Sequence, residues 1–263
     1  MKNQIKTWGL ALAVLIVNLS TTLAHAQLNV NHLSDLDIAR VKHLIERLTP
    51  LIQERQTKED LSRMTFEELY DPLNAEERQF LKKFQNLDGK KLGIKIPFRG
   101  MAFGTEDLVV IKGQKVKINN QEKELPAQFL PRKVYVDYSK MMEEMRKDLG
   151  KRLYVESGYR SSAYQLYLFV YYLQNHEYSI KETVKWVTLP GYSEHGSVTH
   201  QAIDFISENG ISGEENPQLF EDLEEYRWLE KNASRFSFVL SYPKNAGKGI
   251  TYEPWHWRYE EKK

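Results

Sequence analysis

The sequence predicts an α+β protein in which a mainly helical N-terminal region precedes a C-terminal domain of helices and short strands. Three observations carry this. Apolar residues recur at helical spacing from Leu36 to Ile52, and two capping-box patterns follow, Thr65-x-x-Glu68 and Asn74-x-x-Glu77. Further on, strand-length apolar runs at Leu153 to Glu156 and Ala202 to Ile206 alternate with helix-length stretches. The 263 residues are enough for a catalytic domain with an added region.

The first 26 residues stand apart. Lys2 and Lys6 precede an apolar run from Trp8 to Val17, and Leu23-Ala24-His25-Ala26 ends in an A-x-A pattern. These features predict a cleaved signal peptide over residues 1–26, with Gln27 as the mature start. A membrane anchor is the alternative, but the apolar run is short of the ~20 residues that span a bilayer. Removing the leader takes away two lysines and no acid, so 37 basic against 36 acidic residues becomes 35 against 36. A nearly neutral chain lacks the basic patch that a nucleic-acid partner needs. With no cysteine, disulfides, thiolate ligands and a cysteine nucleophile are all excluded, and any transition metal must be held by His, Asp or Glu.

In chain order, Ser34 is placed to cap the first helix, and Pro50 predicts a kink or a new turn within it. His43 has no ligand-type residue three or four positions away and reads as a surface histidine. After the capping boxes, Phe80, Leu81 and Phe84 form an apolar face. The run Leu108 to Ile111, the Lys112-Gly113 turn and alternating Val116 and Ile118 predict a small hairpin. Pro126 and Pro131 then mark a boundary, dividing residues 27–130, of unassigned role, from a domain over 131–263. That domain opens with a helix from about Asp137 to Leu149, whose Met141, Met145 and Leu149 stripe reads as core and whose Gly150 suits the C′ position. A strand over Leu153 to Glu156, a helix carrying Tyr164 to Tyr172 and a short helix from Ile180 to Val187 follow, with His176 a solvated loop residue between the last two.

The chemistry-bearing residues come next. Tyr192-Ser193-Glu194-His195 leads into a polar loop, and Ala202-Ile203-Asp204-Phe205 reads as a buried strand holding one carboxylate. Such an aspartate needs neutralising. A metal ion, a buried ion pair or a capping role would each do so. The tail Thr251-Tyr252-Glu253-Pro254-Trp255-His256-Trp257-Arg258-Tyr259 supplies another histidine and carboxylate among aromatics. His195, Asp204 and His256 make an acceptable ligand set for a catalytic zinc, with a fourth position open to water. Glu253 then stands near the metal as a base; it could instead pair with Arg258 or ligate, and it could share a face of a short helix with His256.

Ser157-Gly158-Tyr159-Arg160-Ser161 with Gln165, Pro190-Gly191-Tyr192-Ser193-Glu194-His195, Ala202-x-Asp204, Phe238-Val239-Leu240-Ser241-Tyr242-Pro243 and Glu253-Pro254-Trp255-His256-Trp257-Arg258-Tyr259 together resemble the zinc D-alanyl-D-alanine carboxypeptidases. That family includes the vancomycin-resistance type and is related in fold to the hedgehog signalling domain and the lysostaphin-type peptidases. The resemblance covers roughly residues 130 to 260 and implies an α+β domain with a small antiparallel sheet, flanked by helices, holding the metal. By position it implies His195, Asp204 and His256 as zinc ligands, Glu253 as the catalytic base acting on zinc-bound water, and Arg160 as the arginine that binds the scissile carbonyl or oxyanion. It makes Ser193 and Gln165 hydrogen-bonding partners of the peptide's terminal carboxylate. The chain departs from the family in one place. Eight residues separate His195 from Asp204 where six are usual, and His200 stands where a glycine would be. The Tyr-Ser-Glu-His context favours His195 as the ligand, with His200 the alternative.

The implied function is removal of the terminal D-amino acid from peptidoglycan stem peptides by an exported, periplasmic or envelope-associated enzyme with no integral membrane segment in its mature form. L,D-carboxypeptidase or endopeptidase action keeps the same metal chemistry. A non-catalytic, metal-stabilised wall-binding module is the competing class, and Glu253 argues against it, because such a module needs no base. Composition says nothing of oligomeric state.

Overall fold

The structure is a computed structural model that describes residues 27–247 and 251–261. The expected signal peptide lies outside the described residues. Among the described residues, no helix is long and apolar enough to cross a membrane.

Helix α1 (Asp35–Thr57) starts where Ser34 Oγ accepts from the Asp37 amide at 3.2 Å. It runs through Pro50 rather than ending or restarting there. Val41, Leu44, Leu48 and Ile52 lie on one buried face spanning the proline, and their burial outweighs the loss of one ladder bond. Both capping boxes form, opening α2 (Phe66–Tyr70) and α3 (Ala75–Gln85). His43 is on the surface, 2.8 Å from Glu77.

The predicted hairpin forms differently. Strand β1 (Leu108–Ile111) pairs with β4 (Gln128–Pro131), whereas β2 (Lys115–Ile118) pairs with β3 (Gln121–Glu124). Asn119 and Asn120 both adopt positive φ, the geometry that a tight two-residue turn needs, so β2 turns back on the strand after it. Helix α4 (Arg132–Leu149) begins about a turn earlier than expected and ends on Gly150 in the left-handed conformation, φ 70°. Strand β5 (Leu153–Ser157), helix α5 (Ser162–Tyr172) and the four-residue α6 (Ile180–Thr183) follow. The last is shorter than the Ile180 to Val187 expectation. His176 is half-buried and stacks on the Trp186 ring, centroids 5.9 Å apart.

Beyond the loop at 184–201 come β6 (Ala202–Ser207), α7 (Pro217–Glu221), α8 (Glu224–Asn232), β7 (Phe238–Leu240) and β8 (His256–Tyr259). Strands β5, β6, β8 and β7, in that order, make an antiparallel four-stranded sheet. The α+β expectation therefore holds, with the small antiparallel sheet flanked by helices. The tail is a strand rather than a helix: a turn at Glu253, whose carbonyl accepts from the His256 amide at 3.2 Å, delivers His256 into β8.

Two large apolar cores form among the described residues, beside a small cluster of Ala102, Phe129 and Tyr159. One packs Met141, Met145, Val155, Phe205, Phe220, Leu229 and Trp257 around the sheet. The other joins Leu44, Leu48 and Phe84 of the N-terminal helices to Leu166, Phe169 and Val170 of α5. The free edge of β5 is covered by Gln114, whose buried amide donates to and accepts from the Val155 backbone at 2.9 Å in both directions.

Candidate metal centre

Register places the first pair of site residues. Asp204 in β6 lies opposite His256 in β8, so their side chains leave the sheet on the same face. On the other side Ser157 is paired with Asp204 across a register shift at Glu156, a bulge of the kind that re-aims a strand end beside a site. The chain then turns through Gly158, where a Cβ would meet the Phe129 carbonyl oxygen at 2.5 Å, so only glycine fits.

That turn grips His195 from two sides. The Gly158 carbonyl accepts from His195 Nδ1 at 2.8 Å, and the Arg160 amide donates to the His195 carbonyl at 3.0 Å. With Nδ1 carrying a proton, His195 turns Nε2 to Asp204 Oδ2, 3.1 Å away. His256 is held the opposite way round. Its Nε2 faces Glu194 Oε2 at 3.1 Å, and its Nδ1 faces Asp204 Oδ1 at 2.7 Å. One ligand-type atom from each of His195, Asp204 and His256 lies within 4.8 Å of the others.

The electrostatics fit a cation. Burial alone would push the Asp204 carboxyl up, but the two imidazoles outweigh it and hold it well below the ordinary range. Burial pushes His195 down. It acts the same way on His256, but there Asp204 and Glu194 prevail and raise the imidazole, so a positive charge is favoured between the carboxylates. A nitrogen, a carboxylate oxygen and a second nitrogen, each histidine fixed through its other ring atom by a carbonyl or carboxylate, is the donor set and outer support that zinc takes.

The remaining expected residues surround this centre. Glu253 Oε2 is 3.9 Å from His256 Nδ1, and burial lifts its carboxyl to about 7. It makes no ion pair with Arg258, which instead reaches Glu194 and Glu260. The Arg160 guanidinium donates to Gln165 Oε1 at 3.1 Å and Ser157 Oγ at 3.4 Å, while Gln165 Nε2 donates to the Thr188 carbonyl at 2.7 Å. Both ends of the Gln165 amide are thus used within the protein. Ser193 is buried, just before the turn that carries His195. His200 stays in the lengthened loop, bonded to Thr199 Oγ1 at 3.0 Å and, through its amide, to Ser197 Oγ at 3.2 Å, and is not in the ligand group.

Sequence reasoning gave no role to Glu194. Its side chain is 1% exposed and accepts from Arg99 and Arg258 as well as His256. Tyr242 packs on the His256 ring with centroids 4.9 Å apart, and in the tail Trp255 lies over Gly213, where a Cβ would meet its ring at 2.5 Å.

With the geometry in view, comparison with known proteins is direct. The chain is similar to the putative carboxypeptidase YodJ of Bacillus subtilis (strain 168), 36% identical over 138 residues, 50% of this chain and 47% of that protein. It is 41% identical over 80 residues to a D-alanyl-D-alanine carboxypeptidase of Enterococcus faecalis (strain ATCC 700802 / V583), 30% of this chain and 26% of that one. The matches span under half the length of these two relatives. Among solved structures, an LdcB LD-carboxypeptidase aligns with 58% of this chain and 67% of its own at 28% identity and a TM-score of 0.44. The family described as VanY, D-alanyl-D-alanine carboxypeptidase, matches residues 127–262. That is just over half of the chain and takes in every expected site residue, and the protein belongs to this family.

Proposed function

We propose that the protein is a zinc-dependent D-alanyl-D-alanine carboxypeptidase, exported to the cell envelope, that removes the terminal D-amino acid of peptidoglycan stem peptides. In this reading residues 131–263 carry the chemistry and 27–130 support it. The observation that carries the proposal is the convergence of one ligand-type atom from each of His195, Asp204 and His256 within 4.8 Å, with the Glu253 carboxylate 3.9 Å from His256 Nδ1.

The three residues would hold the ion. Zinc supplies Lewis-acid polarisation of a carbonyl and lowers the pKa of water towards ~7. Glu253 takes the proton of the attacking water at Oε2 and returns it to the leaving amine; a carboxyl lifted to about 7 by burial suits both directions near neutral pH. Arg160 points a fixed charge at the oxygen where negative charge develops. Gln165 acts through Arg160: its Nε2 is anchored on the Thr188 carbonyl and its Oε1 accepts from the guanidinium. The Ser193 hydroxyl, on a buried residue beside His195, receives the peptide's terminal carboxylate.

The test is incubation of the protein with purified muropeptides, with zinc and with chelator, read by mass spectrometry. Loss of one terminal alanine from pentapeptide, abolished by chelator, is expected. Loss only from tetrapeptide would reassign it as an L,D-carboxypeptidase, an internal cut as an endopeptidase, and retention on cell wall with no product would remove the enzyme reading. Glu253→Gln should lower turnover by about 10²–10⁴-fold while zinc content is unchanged.

A further inference from the structure

Glu194 orients His256, and what orients Glu194 comes in part from outside the family-matched residues. Its Oε1 accepts from Arg258 Nη1 at 2.9 Å and from Arg99 Nη2 at 3.0 Å. The two arginines are about equally shielded, 17% and 16% exposed, but they are not equivalent. Arg258 divides its charge between Glu194 and Glu260. Arg99 has Glu194 as its one carboxylate partner among the described residues.

Arg99 sits on a segment docked against both loops of the site. The Arg99 amide donates to the Gly191 carbonyl at 2.7 Å, and Phe98 packs edge-on against Tyr192, centroids 5.4 Å apart. Ala102 and Ser162 exchange two bonds, amide to Oγ at 2.9 Å and amide to carbonyl at 2.8 Å. The Gly104 amide meets the Tyr159 hydroxyl at 2.9 Å. The segment therefore bridges the loop before His195 and the loop that carries Arg160.

We propose that residues 95–107 are a positioning strap for the metal centre, and that Arg99 is its working residue: it holds the Glu194 carboxylate where that carboxylate keeps a proton on His256 Nε2 and leaves Nδ1 turned to the metal position. The inference rests on the reading of His195, Asp204 and His256 as zinc ligands. It makes the N-terminal region part of the site rather than an appended module, since the residue that steadies one ligand lies 95 positions before its partner. Arg99 is a positioning residue, because it acts through Glu194 and His256.

The experiment is zinc affinity measured by competition with a chromophoric chelator, together with the visible spectrum of the cobalt-loaded protein. Arg99→Ala should weaken zinc binding about 10–100-fold and shift the cobalt spectrum, as loss of outer support does. Arg99 contacts Glu194 through a single nitrogen, so Arg99→Lys, which supplies a point charge, should restore affinity to within about threefold and restore the spectrum. Phe98→Ala, which removes strap packing without touching the charge, should bind zinc within about twofold of the parent. Should Arg99→Ala fail to fold, Arg99→Gln is read in the same way. Zinc affinity of the folded variant within about twofold of the parent overturns the inference, as does an equal loss in Phe98→Ala or a failure of Arg99→Lys to rescue. A parent chain that binds no zinc would instead overturn the reading of the ligand set.

Discussion

Glu194→Gln tests the electrostatic support of the site in a way that needs no substrate. The carboxylate is 1% exposed and stands against Arg99, Arg258 and His256, themselves 16%, 17% and 7% exposed. Burial opposes its ionisation, yet the His256 hydrogen bond and charge, with Arg258, hold it at about 2, so the charged form is what the fold is built around. Breaking a buried ion pair from one side costs about 3–5 kcal/mol, because the partners stay buried with their charge uncompensated. Glutamine is nearly isosteric and keeps one acceptor, which puts the expected cost near the lower end, about 3 kcal/mol. In a chain of this size that is a fall in melting temperature of about 6–12 °C. The assay is thermal unfolding by circular dichroism near pH 7 with chelator present, so that metal binding does not contribute. Glu224→Gln serves as the control: it breaks an exposed pair with Lys151 and is expected to leave the melting temperature unchanged. A Glu194→Gln protein that melts with the control would show that this buried cluster does not stabilise the fold, and the account of it given above would be wrong.

Other perturbations separate other parts of the structure. Glu156, hydrogen-bonded to Ser212 Oγ at 2.9 Å, has its carboxyl raised by burial from 4.5 to about 7. A group raised in the folded state favours folding below its unfolded pKa and loses that contribution as pH rises through the folded one. Glu156→Gln should therefore stabilise the protein at pH 8, by about 1–2 kcal/mol once solvent screening is allowed for, and leave it unchanged at pH 4, as read by urea unfolding at the two pH values. His195→Ala should abolish zinc binding while His200→Ala retains it, measured by metal content after dialysis; the reverse would reassign the ligand. Gly213→Ala drives a Cβ into the Trp255 ring at 2.5 Å and should cost about 1–3 kcal/mol in denaturant unfolding. A fragment lacking residues 27–126 strips Leu44, Leu48 and Phe84 from the core they share with Leu166, Phe169 and Val170. It should bind a hydrophobic dye and melt without a cooperative transition; a sharp transition would show that the C-terminal part folds alone.

The features legible in the sequence are those whose cause is local. Ser34, Thr65 and Asn74 each bond an amide three residues on, and Gly150 takes the left-handed conformation that closes α4, so a window of a few residues contains the whole interaction. His195, Asp204 and His256 were legible for another reason. Each sits in a short block that leaves other roles open by itself, and it is the order of the blocks, which is that of a family, that draws the three together. The partner of β1 was not legible, because its alternatives, the adjacent β2 and the more distant β4, differ in non-local packing and not in the apolar pattern of Leu108 to Ile111 itself. Pro50 left continuation of the helix open for a similar reason: its local cost is plain in the sequence, whereas the buried face that carries α1 through it is a tertiary fact.

Glu194 shows where a reading from motifs stops. Between Ser193 and His195 it reads as part of the block that carries His195, with no role of its own. What gives it a function is the meeting of Arg99, 95 positions before it, and Arg258, 64 after it, around one carboxylate whose other oxygen meets His256. The sheet makes that meeting possible. Register sets His256 against Asp204, and Arg258, two residues along β8, lies on the same side of the strand as His256, so the strand that carries His256 also supplies half of the arginine pair on Glu194. The other half must come from an element outside the sheet, and the strap at 95–107 is what reaches it. Arg99 and Arg258 meet on one oxygen of that carboxylate, so the docking of the N-terminal region and the arrangement of the centre share a contact.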